Sequence, residues 1–275
     1  MIPAAPAAVF SYRVSSDGPQ RRSFTLPGRQ ESGGFLRANR WSALNLVLDI
    51  SAALEFTEHS LNPTLLMPNV PLPKRNPDGS YTTPPAGMAI DADGANGQTG
   101  GVPVYAPKGF TPAPLDFLAN AGGPGNWFGV VTDNNQSNGK PIKQKAGDPA
   151  PGAFVSATSY RWPERSRIDP LAYVDAASVP YIVLPSHWRA LAVGVVLGCK
   201  ATVEDTETGK ILEAAGVLDF GPRAKLGEAS MACAEFFGIP SSPKDGGTGK
   251  KRFIYKFFPG VPAVINGVTY QLQPM

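Results

Sequence analysis

Charge is scarce in this chain. Charged residues fill 17% of its 275 positions, against about a quarter in an ordinary soluble protein. The formal net charge is only +3, and no block of Lys and Arg is dense enough to mark a nucleic-acid surface. The tightest group, Lys250, Lys251 and Arg252, precedes an aromatic run and reads as a solvated strand end. Cysteine is limited to Cys199 and Cys233. With no Cys-x-x-Cys and no Cys–His pattern, the spacing argues against a zinc site. Both cysteines sit in apolar runs, where a buried thiol and a single disulfide are the alternatives. The two histidines, His59 and His187, neighbour no Ser or Cys nucleophile motif. Gly-x-Ser-x-Gly is absent as well, which disfavours a Ser/His/Asp hydrolase. No stretch approaches the roughly 18 apolar residues of a transmembrane helix, so no membrane partner is expected. MIPAAPAAVFSYRVSSDG has neither a basic start nor a long apolar core, and does not read as a secretion signal.

What the chain has instead is turn chemistry. It carries 30 Gly and 29 Pro, with 42% hydrophobic residues. That is too many breakers for a helical bundle and enough apolar material for a core, so a loop-rich β protein is expected. Residues 43–51 (ALNLVLDIS) alternate apolar and polar positions and predict a strand, with a helix the alternative because Ala52, Ala53 and Leu54 continue the apolar run. The proline-rich stretch 62–87, with the turn NPDGS, reads as a long loop or linker. It separates an N-terminal elaboration, 1–85, from a main domain, 86–275. From there short apolar runs alternate with turns: MAID, VPVYA, WFGVVTD, AFVSATSY, VPYIVLP, LAVGVVLG, KATVED, ILEAAGVLDF, RFIYKFF and VTYQL. This texture predicts a mainly β fold closed as a barrel. Only two helices are expected. One is short, over 114–121. The other begins near Glu228 and ends at Gly238, with Pro240 behind it.

The chemistry-bearing candidates are acids. Asp219 ends an apolar strand before a Gly-Pro turn, a poor strand residue that an Asx turn would also explain. Glu228 falls where the second helix should start, and could merely complement the helix dipole. A strand, a turn and a helix start can bring two carboxylates into one cleft. Such pairs cleave glycosidic bonds, one protonating the leaving oxygen while the other activates water or attacks the sugar. Asp91 and Asp93, before Gly94, form an acidic turn; the remainder of a calcium loop is missing, so no metal is expected. In the glycine-rich segment LDFLANAGGPGNWFGVVTDN, Trp127 is either a sugar-stacking platform or core, and Asp133 is a further acid. The glycines do not lead from a strand into a helix, so this is not a phosphate cradle. No cofactor is implied.

Taken together, MAIDADGAN, LDFLANAGGPGNWFGVVTDN, DPAPGAFVSATSY, DPLAYVDAASVPYIVLP and VLDFGPRAKLGEASMACAEFFGIP resemble glycoside hydrolase family 75, the fungal-type chitosanases and their bacterial relatives. The resemblance spans roughly residues 86–260, in order, and leaves the arm before it uncovered. It implies an inverting endo-hydrolase that cuts β-1,4 glucosaminyl bonds of chitosan. It also implies a six-stranded, double-psi-type β-barrel with extra strands and few short helices. The family's essential Asp and Glu fall on Asp219 and Glu228, with Glu228 expected as general acid and Asp219 as general base. The family's Ile-Asp-x-Asp-Gly falls on Ile90–Gly94, whose carboxylates would line the substrate cleft with Trp127 and Asp133. The expected partner is a polysaccharide acted on outside the cell by a monomer. Two departures stand out: Ala92 replaces a Cys of the fungal pattern, and no secretion signal is read. The positive net charge also does not favour a polycation. Peptidoglycan cleavage by a lytic or toxin-like glycosidase, or carbohydrate binding without chemistry, are therefore the alternatives.

Overall fold

The computed structural model describes residues 70–118, 120–189, 194–222 and 224–274. The strand expected over 43–51 lies outside them. The described residues are mainly β. In chain order the strands are β1 (Lys74–Arg75), β2 (Tyr81–Thr82), β3 (Ala86–Asp91), β4 (Gly122–Gly123), β5 (Asn126–Trp127), β6 (Tyr181–Pro185), β7 (Cys199–Asp205), β8 (Lys210–Gly221), β9 (Glu228–Ser230), β10 (Thr248–Ile265) and β11 (Val268–Tyr270). One α-helix, α1 (Met231–Phe237), occurs among the described residues. No helix there is long and apolar enough to cross a membrane.

Six of these strands hydrogen-bond in a closed ring, in the order β10-β3-β9-β6-β8-β7 and back to β10. The pairs β3–β9 and β6–β8 are parallel, and the remaining four are antiparallel. Closure depends on the 18 residues of β10, which run past β3, then β7, then β11. Its Pro-Gly-Val-Pro stretch coincides with a register shift between Phe258 and Pro262, as proline, lacking an N–H, requires.

Alternation fills the ring. Cys199, Ala201 and Val203 of β7 and Phe253, Tyr255 and Phe257 of β10 are buried at every second position. They meet Met88, Ile182, Leu184, Leu212, Val217 and Ala229 in one core, so all six strands contribute. Each large side chain so buried stabilises the fold by about 1.5–3 kcal/mol. A second core, with Tyr160, Tyr181, Val183 and Leu218, packs residues 92–181 against the other face of β6 and β8.

That second layer departs from expectation. The runs at 102–106, 127–133 and 153–160 were expected as strands. Past the short β5, the second and third make isolated bridges, Val130 with Ser156 and Lys143 with Phe154, in place of a ladder, and in the first Val104 N donates to Ala95 O. The buried side chain of Asn96 does part of a ladder's work: Nδ2 donates to Ser156 O and Pro170 O, and Oδ1 accepts from Ser156 N. The expected helix over 114–121 is absent among its described residues. Leu115 N and Asp116 N donate to Pro103 O and Val104 O, and Leu118 takes a positive φ of 63°, both incompatible with a helical turn. The loop expected over 62–87 contains the hairpin β1–β2 at 74–82, which joins the ring through pairing of β2 with β10. Cys199 and Cys233 are both free and buried.

Candidate active site

The site begins with a flaw in the β6–β8 ladder. Ile182 pairs with Val217, but Val183 pairs with Asp219, so Leu218 is an extra residue on β8. A bulge of this kind re-aims the side chains beside it. Val217 stays in the ring core, and Leu218 joins the second core. Asp219 then lies at the level of Val183, beneath the 92–181 layer, where Ser159 holds it. Its Oδ1 accepts from Ser159 N at 2.9 Å, from Phe220 N at 2.6 Å and from the Ser159 hydroxyl.

Glu228 arrives on the opposite side of the same strand. It was expected in the first turn of a helix, but it opens β9, paired with Val183 on one side and Ala89 on the other. The helix starts three residues later, capped by Ser230, whose Oγ accepts from Cys233 N at 3.2 Å. Gly227, at a φ of 84° with Gly87 O only 2.4 Å from where a Cβ would sit, lets the chain turn into β9 against β3. Asp219 and Glu228 therefore flank one residue, Val183, from two sides. Two strand spacings put their Cα atoms about 9.6 Å apart. Glu228 Oε1 pairs with Lys225 Nζ at 2.7 Å. Its Oε2 lies 2.7 Å from the position a Cβ on Gly221 would take. Gly221→Ala is expected to fold, since the crowded atom ends a flexible side chain, and to lower any turnover about 100-fold by displacing that carboxylate. Steady-state rates beside a thermal melt check this.

Asp91 and Asp93 complete the group. β3 ends at Asp91, whose Oδ1 accepts from Asp93 N at 2.9 Å in an Asx turn. Tyr181 OH lies 3.2 Å from Asp91 Oδ2 and 3.0 Å from Asp93 O. Ser156 Oγ lies 3.3 Å from Asp93 Oδ1 and 3.0 Å from Gly129 O, and accepts from Gly94 N at 3.1 Å. Tyr105 also hydrogen-bonds Asp93. Asp91, Asp93 and Asp219 offer oxygens within 4.8 Å of one another. Such a set could hold a cation, and it can equally be relieved by protons. Burial pushes Asp91 well above the usual carboxylate range, with Asp93, Asp219 and Glu228 adding repulsion. Burial, and then Asp219, push Asp93 up to about 8. Burial pushes Asp219 up to about 6, although its three hydrogen bonds pull the other way.

The structure thus gathers Asp91, Asp93, Asp219 and Glu228 and leaves out the other two candidates. Trp127 is core: it is 8% exposed and packs at 5.9 Å on Phe154. Asp133 is an exposed loop residue whose Oδ1 accepts from Lys140 N at 2.9 Å. Tyr105, Ser156, Ser159, Tyr181 and Lys225 were missed. Ser156, Ser159, Tyr181 and Lys225 lie inside the quoted motifs, but a hydroxyl or an amine that serves a carboxylate across the fold has no local spacing to reveal it. The chain matches no model of a known protein family and no curated protein.

Proposed function

We propose that the chain is an inverting endo-glycosidase acting on chitosan, with Asp219 and Glu228 as its acid/base pair. The observation that carries this reading is the placement of those two acids on either side of Val183, at one level of the sheet. An inverting enzyme needs its carboxyl groups roughly 6.5–9.5 Å apart, so that a water fits between the sugar and the base. The two Cα atoms stand about 9.6 Å apart across β6, and the Glu228 carboxylate reaches Gly221, two residues beyond Asp219 on β8. The ring of six strands, with its two parallel pairs, is in keeping with the double-psi-type barrel that the resemblance implies.

In this mechanism the roles are the reverse of the sequence expectation. Asp219, raised to about 6 by burial, keeps a proton at mildly acidic pH and is matched to donation. Its Oδ1 is occupied by three donors, so the proton sits on Oδ2. That proton passes to the glycosidic oxygen as the C1–O bond breaks. Glu228 Oε2, with Oε1 held by Lys225, takes a proton from water as the water oxygen bonds to C1 from the opposite face. Glu228 then releases its proton to solvent, solvent returns one to Asp219, and the product carries the inverted anomeric configuration.

Asp91 and Asp93 supply the reason for a cationic substrate. Their buried carboxylates repel one another and Asp219, and a glucosamine ammonium relieves that repulsion as a bound proton does. Ammonium binding near neutral pH should therefore release protons. A neutral or anionic glycan would not relieve that repulsion.

The test is release of reducing ends from well-deacetylated chitosan and from purified peptidoglycan, with proton NMR of the first product. The expected result is activity on chitosan alone, the α-anomer formed first, and kcat/KM on soluble oligosaccharides falling about tenfold per pH unit above about 6. Activity only on peptidoglycan would move the substrate and keep the pair. A β-anomer would overturn inversion.

A further inference from the structure

The large exposed aromatics among the described residues are Phe117 and Phe128, and Phe128 is tied to the acidic group through its own backbone. Phe128 is 55% exposed, whereas its neighbours Trp127 and Val130 turn into the core. The next residue, Gly129, has no room for a side chain: a Cβ there would lie 2.6 Å from both carboxylate oxygens of Asp93. Its carbonyl accepts from Ala157 N at 2.8 Å and faces Ser156 Oγ, the hydroxyl that also approaches Asp93. Phe128 N donates to Ala121 O at 2.8 Å. The ring rests on Gly122, where a Cβ would come within 2.8 Å of Phe128 Cδ2. Its main chain is thus pinned on both sides, one edge of its ring is seated on a glycine, and the rest stands in solvent one residue from Asp93.

A water-exposed phenyl ring held this firmly does not contribute to the core. It offers a preorganised apolar face on the residue next to Gly129, whose backbone abuts the Asp93 carboxylate. That combination matches a sugar ring with an ammonium substituent, whose C–H face stacks on an aromatic while its charge is taken by acids or by the ring face. We infer that Phe128 is the stacking platform for a glucosamine unit whose ammonium group is held by Asp93 and Asp91. The inference rests on the glycosidase reading and adds to it the residue that selects the sugar in that position. It also replaces the platform expected at Trp127.

The probe is the β-1,4-linked glucosamine hexamer. Its binding is measured by calorimetry on Asp219→Asn, to prevent turnover, with and without Phe128→Ala and Phe128→Trp. Phe128→Ala is expected to weaken binding about tenfold, the change that loss of one aromatic contact implies, and Phe128→Trp to restore it. Because the ring is exposed, Phe128→Ala should melt within about 2 °C of its parent, the small effect usual at surface sites. In the active chain Phe128→Ala should raise KM about tenfold and leave kcat within about twofold. Binding by Phe128→Ala within about twofold of its parent overturns the platform; reducing ends released by the wild type would then still uphold the hydrolase. Hexamer bound by neither parent nor variant overturns the platform, and with no reducing ends from the wild type it overturns the hydrolase reading as well.

Discussion

Asp219→Asn and Glu228→Gln are each expected to cut chitosan turnover by about 1000-fold or more while leaving the fold in place. Positioned acid/base groups contribute about 10²–10⁴ each, and neither amide can give or take the proton the reaction needs. Both variants should fold because the amides keep the shapes. The amide that replaces Asp219 would still present an oxygen to Ser159 N and Phe220 N, the donors that hold the native carboxyl. The amide that replaces Glu228 would lose only the ion pair to Lys225, whose side chain is 41% exposed, and such pairs stabilise by about 1 kcal/mol or less. The measurement is reducing-end release beside circular-dichroism melts of both variants. Turnover near the wild-type rate by either one removes that residue from the chemistry. A melt lowered by more than about 10 °C would show instead a structural defect, and would return the question to Glu228→Asp and Asp219→Glu.

Asp93→Asn is expected to stabilise the protein, and to do so mainly at high pH. Burial, and then Asp219, push the native carboxyl up to about 8, against about 3.9 in an unfolded chain. Between those values the folded state holds the extra proton, so stability falls as pH rises. The contribution is intact below about 4 and lost above about 8. Asp219, raised to about 6, acts in the same direction over the lower half of that window. An amide at position 93 removes the penalty, so Asp93→Asn should be near neutral at pH 4. At pH 8 it should gain about 2–4 kcal/mol, less than the full shift implies because neighbouring acids share protons. That corresponds to about 5–10 °C in melting temperature for a domain of this size. The melts belong in a chelator, since a cation among Asp91, Asp93 and Asp219 would give the same relief. Equal melting of wild type and variant at pH 8 would show that Asp93 is ionised at little cost in the fold.

Both experiments concern acids that could be read from sequence. Asp91, Asp93, Asp219 and Glu228 sit in short motifs, and motifs survive without knowledge of the fold. The ring strands were also visible where alternation is strict, as in Cys199–Asp205, where every second residue is buried. Three things were not visible, each for a physical reason. The extra residue at Leu218 is a matter of register between β6 and β8; an apolar run such as Val217-Leu218 looks the same with a bulge or without one. Glu228 was read as helical because the apolar period of α1 continues back through Ala229. Its strand conformation is imposed by β3 and β6 on either side, and tertiary pairing overrides local preference in a three-residue strand. Trp127 and Phe128 are adjacent aromatics, of which one must face in and the other out. Which is which depends on packing against Phe154, distant in sequence.

The two cysteines give the fold an internal clock. Cys199, at the start of β7, and Cys233, in α1, lie in the same core and are both fully enclosed. Burial alone pushes the Cys233 thiol up to about 12, and thiol reagents attack the thiolate. Neither sulfur can be alkylated until the structure around it parts, so labelling rates report opening events that melting averages together. Equal rates at the two positions would mean that the ring and the helix leave the native state as one unit. Faster alkylation of Cys233 would mean that α1 lifts away while β7 remains zipped to β10. Since α1 directly follows the strand that Glu228 opens, such an excursion would also displace Glu228, in a protein still closed as a ring.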